Sequence, residues 1–494
     1  FFGGDTDNFE FPRFNLDICF FRAYENEQPA KVKHFFRWSA TGPAEGELAF
    51  VTGHPGTTNR LETYAKLLHR RDYTLPYTLA RLRSMEAALR QFSERGPELA
   101  QQAATDLHRV ANARKAFSGQ YQGLLDASLM KRKKQMEEAL FEWRVPGNPP
   151  VTYVEARDGV KKVAAAQESL RKIEKTWALL ERGDAFFSEL FAIARHLVRL
   201  QAELPKPSAD RLREYRDSNL ESLRFQLFSP APIHAEVERA KLAASLTFLA
   251  ENFGGDSAIV QLALAGKSPE QRATELVAGT RLFAVADRKR LADEKGALDQ
   301  SADAMILLAR AIDAEARSVR KQYETEVEEV ERQGYAAISR WRFEKFGRDV
   351  APDATFTLRL AFGVVRGYEE EGRPIPFFTT FGGAFERAEK QEHRDPFELP
   401  ARWRENKKKI DLETPFNFVS TADTIGGNSG SPVLNRQGEL VGINFDRNRH
   451  GLVRNFVYTD VMARHIAVHS RGVLEALRKL YDCEPLVNEL LHRE

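Results

Sequence analysis

One loop near the carboxyl end of the chain has the residue types that a serine nucleophile needs. It reads GGNSGSPV over residues 426–433, so glycines lie on both sides of Ser429. Glycine can adopt backbone conformations closed to residues with a Cβ, and such a turn can lift a hydroxyl out of the chain. The same turn can direct the amide N–H groups of Gly427 and Ser429 at one point, as an oxyanion hole requires. The loop therefore predicts an acylating serine with two backbone oxyanion donors.

The residues after the loop predict the element that holds it. Two short apolar runs, SPVLN and ELVGINF, are separated by the turn signal RQGE at 436–439. Strand, turn and strand in this order predict a β-hairpin, with Ser429 at its mouth. For a bare G-x-S-x-S pattern, a glycine-rich turn in an unrelated β-protein is the alternative. The full string followed by a hairpin favours the nucleophile.

Composition limits the class of protein. The 494 residues include 73 basic and 71 acidic side chains, a formal charge of +2, which gives no electrostatic argument for nucleic acid or an anionic membrane. No apolar run approaches the roughly 20 residues of a membrane span. Cys19 and Cys483 are the only cysteines, too few for a disulfide framework or a cysteine-based zinc site, although one bridge between them stays open. We expect no metal, no other cofactor, no nucleic-acid partner and no membrane span.

The hydrophobic pattern changes twice along the chain. Aromatic and polar residues alternate up to about residue 60, as in FPRFNLDICFFRAY and GELAFVTGHPG, which predicts strands. From residue 77 the period is helical, with an apolar face formed by Leu82, Met85, Leu89 and Phe92. The β pattern returns at DATFTLRLAFGVVRGY from residue 353 and precedes a closing helix, SRGVLEALRKLY. The helical block is thus predicted to be an insertion between two β segments.

Motifs spread over the chain carry a resemblance to a known family. GGDTDNFEFPR at 3–13, GHPGTTNRL at 53–61, FTTFGG at 378–383 and the serine loop are similar to the bacterial dipeptidyl peptidase 7 and 11 family of serine exopeptidases. The resemblance implies an α+β fold, in which a chymotrypsin-like double β-barrel peptidase domain contains a large inserted all-α cap. It implies that residues 1–70 form the first, incomplete part of the peptidase domain, 71–346 the cap, and 347–494 the second part.

The same resemblance assigns the catalytic residues. Ser429 corresponds to the nucleophile. The triad acid falls on Asp17 in FNLDICFF, where relatives have a Thr-Gly-Asp-Phe type of sequence. A triad acid must be shielded and accept a hydrogen bond from the imidazole, and the apolar neighbours of Asp17 fit that requirement. An ordinary aspartate at a strand edge is the alternative.

The catalytic histidine has no counterpart in the sequence. The resemblance implies a histidine upstream of the aspartate in a His-Cys context, and the chain contains no His-Cys pair. His54 in GHPG belongs to a separate turn motif. We therefore expect that the sequence is truncated upstream of its general base and is inactive as it stands. A natural pseudo-peptidase is the alternative.

A dipeptidyl peptidase must hold the free ammonium of its substrate two residues from the cleaved bond. Burying that cation requires a carboxylate and acceptor oxygens. The resemblance assigns this task to Asn8, to Asp446 in INFDRN, and to Asn112 of the helical block in VANARKAF. Phe9 stands where relatives have a tryptophan, so the pocket wall is expected to differ. A turn, a strand end and a helix surface are the respective structural alternatives for Asn8, Asp446 and Asn112.

The position after Asp446 separates two branches of the family. It resembles glycine in members that take apolar penultimate residues and arginine in members that take Asp or Glu there. This sequence has Arg447, whose guanidinium can bind a carboxylate through two parallel hydrogen bonds. An arginine in an exposed loop is the alternative, since Arg449 is close by. The resemblance favours removal of N-terminal dipeptides with an acidic second residue.

Two other functions stay open on the sequence alone. A glutamyl endopeptidase would share the nucleophile loop and a basic pocket, but it would need an open cleft. A non-catalytic peptide-binding protein would explain the missing histidine. The resemblance further implies oligopeptide substrates, a homodimer, and a periplasmic or cell-surface location in a bacterium, with a signal peptide in the precursor.

Overall fold

The chain divides into two compact units in the computed structural model, which describes residues 5–142 and 148–492. The sheet unit contains Phe1–Glu62, Lys115–Lys133 and Arg348–Glu494, and the helical unit contains Thr63–Arg114 and Lys134–Gly347. Except for Asn112, every residue predicted to belong to the site lies in the sheet unit.

The sheet unit is built on a seven-stranded sheet with the order β4-β3-β9-β10-β11-β8-β7, and its strand pairs are antiparallel. Apolar side chains from five of these strands form its core, among them Val51, Phe418, Val433 and Val441. The strands of the unit are β1 (Tyr24–Glu25), β2 (Gln28–Pro29), β3 (Leu48–Gly53), β4 (Arg359–Val364), β5 (Tyr368–Glu370), β6 (Arg373–Ile375), β7 (Phe378–Thr380), β8 (Pro415–Ser420), β9 (Pro432–Leu434), β10 (Leu440–Arg447) and β11 (His465–His469).

The predicted hairpin after the serine loop is confirmed. Strands β9 and β10 pair antiparallel, with Leu434 opposite Leu440. On its other edge β10 pairs with β11, and this register shifts between Asn444 and Asp446, so Phe445 forms a β-bulge. Bulges redirect the side chains around them and are frequent beside active sites. The bulge here directly precedes the two residues assigned to substrate recognition.

The prediction of strands between residues 11 and 23 is wrong, whereas GELAFVTG does form β3. The segment is a loop whose backbone groups bind side chains of the sheet. Asn15 donates its N–H to Asn417 Oδ1 at 2.7 Å and accepts from Asn417 Nδ2 at 2.7 Å, and Thr379 Oγ1 donates to Arg13 O at 2.7 Å. Phe11 and Phe14 are buried in two separate apolar clusters. The alternation of aromatic and polar residues in this segment therefore reflects a loop that buries some of its aromatic side chains, and it does not reflect a strand.

Helices make up the helical unit, and further helices belong to the sheet unit. The face predicted from Leu82, Met85, Leu89 and Phe92 is buried, as the helical period required. The closing helix is also confirmed, as α16. The helices are α1 (Tyr64–His69), α2 (Leu75–Ser93), α3 (Pro97–Leu125), α4 (Ala127–Leu140), α5 (Val151–Thr176), α6 (Glu189–Glu203), α7 (Asp217–Leu227), α8 (Ala235–Phe253), α9 (Ala258–Leu264), α10 (Pro269–Ala278), α11 (Val285–Asp293), α12 (Ala304–Tyr323), α13 (Glu329–Phe346), α14 (Phe381–Lys390), α15 (Ala401–Asn406), α16 (Ser470–Lys479) and α17 (Glu484–Leu490).

Two expectations from composition concern the membrane and the cysteines. Among the residues that the structure describes, no helix combines the length and apolar character needed to cross a bilayer. Cys19 and Cys483 are both free thiols, so the bridge that the sequence left open does not form.

Candidate active site

The serine loop is fixed by hydrogen bonds from within the loop and from β10. Asn428 donates its N–H to Ile425 O at 3.1 Å, and its Oδ1 accepts the N–H of Ile425 at 3.1 Å. Gly430 donates its N–H to Asn444 O at 2.7 Å. Gly427 has φ = 105° and Gly430 has φ = 82°, values that favour glycine. The two residues on either side of Ser429 are thereby held, and the side chain between them points outward.

Ser429 itself is exposed, and its Oγ lies 3.4 Å from the carbonyl oxygen of Phe445 in the bulge. Within the described part of the chain, the N–H groups of Gly427 and Ser429 donate to no protein acceptor. Two amides at one turn with open hydrogen-bonding capacity are what an oxyanion hole requires. Their role as oxyanion donors stays a prediction.

The GHPG turn supports the loop through its backbone. Gly56 donates its N–H to Gly426 O at 2.7 Å, and a Cβ on Gly427 would lie 2.5 Å from His54 O. The His54 side chain is exposed and its ring lies 5.9 Å from the ring of Phe356. His54 thus contributes its main chain to the loop, in agreement with its interpretation as part of a turn.

No imidazole binds the serine. All eleven histidines of the sequence are among the described residues, and none of them hydrogen-bonds to Ser429 Oγ. His465 and His469 on β11 are buried, and burial lowers the pKa of each to about 3. They are neutral residues of the sheet core. Among the described residues, no imidazole is therefore in contact with Ser429, the predicted nucleophile.

Asp17 is less shielded than the sequence suggested. The residue is exposed, and its neighbour Phe20 is 40% exposed, so the apolar residues around it do not cover it. Partial desolvation raises the pKa of Asp17, while the Arg13 guanidinium lowers it and the Asp446 carboxylate raises it. The two charged side chains that act on Asp17, Arg13 and Asp446, are thus those of the candidate site for the substrate ammonium. Its role as the triad acid stays a prediction.

Asp446 is the centre of a buried polar cluster. Its Oδ2 accepts the N–H of Phe9 at 3.0 Å and Nη1 of Arg13 at 2.9 Å, and its Oδ1 accepts the N–H of Arg447 at 2.8 Å. The side chains of Arg13 and Asp446 are 3% and 12% exposed. Arg13 Nη2 also lies 3.4 Å from Asn8 Oδ1. The structure thus brings Asn8, Phe9 and Asp446 together.

Arg13 is a site residue that sequence reasoning missed. Its guanidinium donates to Asp7 O as well as to Asp446, and it lies 5.4 Å from the centre of the Phe445 ring. Phe9 adopts a left-handed conformation with φ = 65°, and this brings its N–H to Asp446. The quoted motif GGDTDNFEFPR ends on Arg13, so the signal was present but carried no chemical assignment.

Arg447 is buried, with 7% of its surface exposed, whereas Arg449 is exposed and pairs with Glu370 at 2.5 Å. The loop position proposed as the alternative for Arg447 is therefore wrong. Its Nη1 donates to Asn455 Oδ1 at 3.3 Å, and over residues 5–142 and 148–492 its guanidinium forms no ion pair with a carboxylate. Burial lowers the pKa of Arg447 to about 10. Since an arginine retains its charge, it is a buried cation with capacity for an anion.

Asn112 lies in the helical unit, on α3, and is exposed. The structure brings the other predicted recognition residues together without it. Its contact with a substrate ammonium stays a prediction.

The structure thus places an exposed serine close to a hydrogen-bonded carboxylate, Asp446, and a buried guanidinium, Arg447. The family model that matches the sequence, Peptidase S46, covers residues 1–492. The chain belongs to the peptidase S46 family. Most of the sequence therefore has counterparts in that family.

Curated relatives within the S46 family have two kinds of name. An Asp/Glu-specific dipeptidyl-peptidase of Shewanella putrefaciens is 25% identical over 547 residues, covering 99% of this chain and 72% of the relative. The protein of that name from Porphyromonas gingivalis is 25% identical, with coverages of 99% and 70%. Dipeptidyl-peptidase 7 of Phocaeicola vulgatus is 26% identical, with the same coverages.

Solved structures of Porphyromonas endodontalis DPP11 have the same fold. The complex with the dipeptide Arg-Glu aligns with a TM-score of 0.74 at 21% identity, covering 99% of this chain and 72% of that one. The complex with Arg-Asp aligns with a TM-score of 0.76 at the same identity and coverages. The likeness establishes a mixed helix and sheet architecture.

Proposed function

We propose that this chain has the serine and the recognition residues of a dipeptidyl peptidase that removes N-terminal dipeptides with Asp or Glu as the second residue. Ser429 attacks the carbonyl carbon of that second residue, and the N–H groups of Gly427 and Ser429 stabilise the oxyanion that forms. The bond to the nitrogen of the third residue then breaks and releases the rest of the peptide as an amine, and water hydrolyses the resulting ester to free the dipeptide and Ser429. Asp17 is the proposed triad acid. Among the described residues, no imidazole contacts Asp17 or Ser429.

The observation that carries the proposal is the pair of adjacent, oppositely charged side chains at the end of β10. Asp446 is held by three N–H donors, and Arg447 is buried without a carboxylate partner in the part of the chain that the structure describes. A dipeptidyl substrate with an acidic second residue presents an ammonium and a carboxylate close to the cleaved bond. The ammonium can bind Asp446 and the carboxylate can bind Arg447. In both cases a charge-assisted hydrogen bond replaces a hydrogen bond to water.

Asn8 and Phe9 complete the proposed ammonium site. The Asn8 amide oxygen can accept from the ammonium beside Asp446, and Phe9 forms the wall of the pocket. Asn112 of the helical unit is a further proposed acceptor for the same ammonium. A carboxylate and two amide oxygens match the three N–H donors of a substrate's amino terminus.

The wider architecture is proposed on the resemblance of the motifs. We propose a chymotrypsin-like double β-barrel that comprises residues 1–70 and 347–494, with residues 71–346 as its cap. We also propose a homodimer that acts in the periplasm or at the cell surface. Names of the S46 relatives support the proposed reaction, since both branches are dipeptidyl-peptidases.

The proposal is tested by calorimetric titration with three dipeptide amides, because binding does not depend on a general base. Leu-Asp amide should bind more tightly than Leu-Asn amide, which lacks the carboxylate for Arg447. N-acetyl-Leu-Asp amide should bind more weakly by about 1.5–3 kcal/mol, because it has no ammonium to donate to Asp446, whose ion pair with Arg13 remains. Equal binding with and without the acetyl group would instead support an endopeptidase. Equal binding of the Asp and Asn ligands would exclude the acidic preference.

A further inference from the structure

Asp423 is a second carboxylate that a short series of contacts links to Arg447. Arg60 pairs with Asp423 and donates through Nε to Arg454 O, and the next residue, Asn455, accepts from Arg447 Nη1. Burial lowers the pKa of Arg447, and the carboxylates that oppose this effect are first Asp446 and then Asp423. The oxygens of Asp446 accept from Phe9, Arg13 and the backbone of Arg447. Asp423 belongs to no such cluster. An Asp423 released from Arg60 would therefore be free to turn its charge towards Arg447.

Arg60 occupies both oxygens of Asp423. Its Nη1 donates to Oδ2 at 2.6 Å and its Nη2 donates to Oδ1 at 2.8 Å, a bidentate pair. The third side-chain nitrogen, Nε, donates to Arg454 O at 2.8 Å. The two side chains are 24% and 29% exposed, so the pair is partly shielded from water. Such geometry holds the carboxylate in one orientation.

The loop that carries Arg60 is itself fixed and also supports Arg447. Arg60 donates its N–H to Asp353 Oδ1 at 2.8 Å. Asn455 accepts from Arg447 through its Oδ1, donates through its Nδ2 to Thr57 O at 3.2 Å, and accepts the N–H of Asn59 at its O at 2.7 Å. The GHPGTTNRL motif thus holds the neighbour of Arg447 and the counterion of Asp423 together. Its GHPG half supports the serine loop, and its TTNR half had no assigned task.

We propose that Arg60 is a positioning residue for acidic specificity, because it neutralises Asp423 and keeps this carboxylate away from Arg447. The guanidinium of Arg447 then stays available for the carboxylate of the substrate. The pair borders a cavity of about 540 Å³ that is also lined by Asn428, the residue before the nucleophile. A change in the charge of the Arg60–Asp423 pair would therefore act in a cavity that adjoins the serine loop. The inference rests on the proposed function and deepens it.

The test is a double-mutant cycle on the full chain, with Leu-Asp amide and Leu-Asn amide as ligands. Arg60→Gln frees Asp423, so the ratio of the two dissociation constants should fall by about tenfold, a coupling typical of charges in contact. Asp423→Asn in the Arg60→Gln background should restore the ratio, because the competitor is then neutral. Asp423→Asn alone should leave the ratio unchanged or raise it.

Controls separate this effect from a loss of structure. Arg22 forms an exposed bidentate pair with Glu489 at 3.0 and 2.6 Å, so Arg22→Gln is a matched change that should not alter the ratio. Arg60→Lys retains the charge with one point of contact and should give an intermediate ratio, which keeps the test open if Arg60→Gln does not fold. Thermal unfolding reports folding for every variant.

The outcomes distinguish the two proposals. If the unmodified chain does not prefer the Asp ligand, the proposed function fails. If it does, and Arg60→Gln retains the same ratio or weakens both ligands equally, Arg60 has only a structural role and the inference is overturned. Failure of Asp423→Asn to restore the ratio would overturn it too.

Discussion

Strand β10 differs from the serine loop beside it in how many partners hold its predicted site residues. At its carboxyl end, Asp446 and Arg447 are held by bonds to the N-terminal segment and to Asn455. At the serine loop beside it, the backbone is equally well fixed, but Ser429 Oγ has only a 3.4 Å contact with Phe445 O. The predicted recognition residues Asp446 and Arg447 thus have partners, whereas no imidazole of the described residues contacts Ser429, the predicted nucleophile. Binding and bond cleavage can therefore be measured separately in this chain.

The largest expected effect is on turnover. Since no imidazole contacts Ser429 Oγ in the described chain, residues 1–494 should hydrolyse a Leu-Asp coumarin amide about 10⁴- to 10⁶-fold more slowly than a serine peptidase whose histidine contacts its nucleophile. Ser429→Ala provides the background rate. Turnover that depends on Ser429 and approaches about 10 s⁻¹, an ordinary kcat, would contradict the account.

The next effect concerns the buried pair at Asp446. Asp446→Asn leaves the guanidinium of Arg13 buried without its carboxylate, so the free energy of unfolding should fall by about 3–5 kcal/mol. Urea denaturation measures this loss. Asp460→Asn, which breaks an exposed pair with Arg366, is the control and should change the free energy by less than about 1 kcal/mol. A similar small change for Asp446→Asn would mean that the pair is not buried as described.

Replacement of Arg447 should mainly change the affinity for ligands, whereas replacement of Asp446 should mainly change the stability of the fold. Arg447→Gly removes a buried cation that has no carboxylate partner in residues 5–142 and 148–492, so the affinity for Leu-Asp amide should fall by about 2–5 kcal/mol. Leu-Leu amide, which leaves the guanidinium unpaired, should bind at least as well to the variant as to the parent chain. An unchanged ratio of the two affinities would make Arg447 a structural residue only.

The last effect is on pH-dependent stability. His465 lies opposite Arg447 in the sheet, and the pKa of His465 and of His469 is lowered to about 3 by burial. The unfolded chain takes up these protons near pH 6.5, so stability present above that pH is lost as the pH falls towards 3, by up to about 1.4 kcal/mol per unit and imidazole. Urea unfolding at pH 7 and pH 5 measures the loss. A flat profile, or a profile unchanged in His465→Gln, would contradict the burial of these rings as neutral groups.

Local patterns predicted the elements that carry the serine and the recognition pair. The hairpin of β9 and β10 follows from two apolar runs around a turn, and the buried face of α2 follows from its helical period. The segment at residues 11–23 could not be predicted this way. Its backbone is satisfied by Asn417 and Thr379, which lie several hundred residues away, and only the tertiary structure brings them there.

The same distinction between local pattern and tertiary contact applies to the site residues. Asn8, Asp446 and Arg447 were assigned through quoted motifs, and the structure brings them together. Arg13 was in the same motif but has meaning only opposite Asp446, and the exposure of Asp17 depends on how a loop without regular structure is covered. The Arg60–Asp423 pair joins residues 363 positions apart, so no local pattern contains it.

A crystal structure of the chain with Leu-Asp amide bound would locate both charged groups of the ligand. We expect the ligand's ammonium within hydrogen-bonding distance of Asp446 and Asn8, its β-carboxylate paired with both terminal nitrogens of Arg447, and its carboxamide carbon in front of Ser429 Oγ. A ligand whose ammonium lies in solvent, or whose carboxylate pairs with any cation other than Arg447, would contradict this expectation.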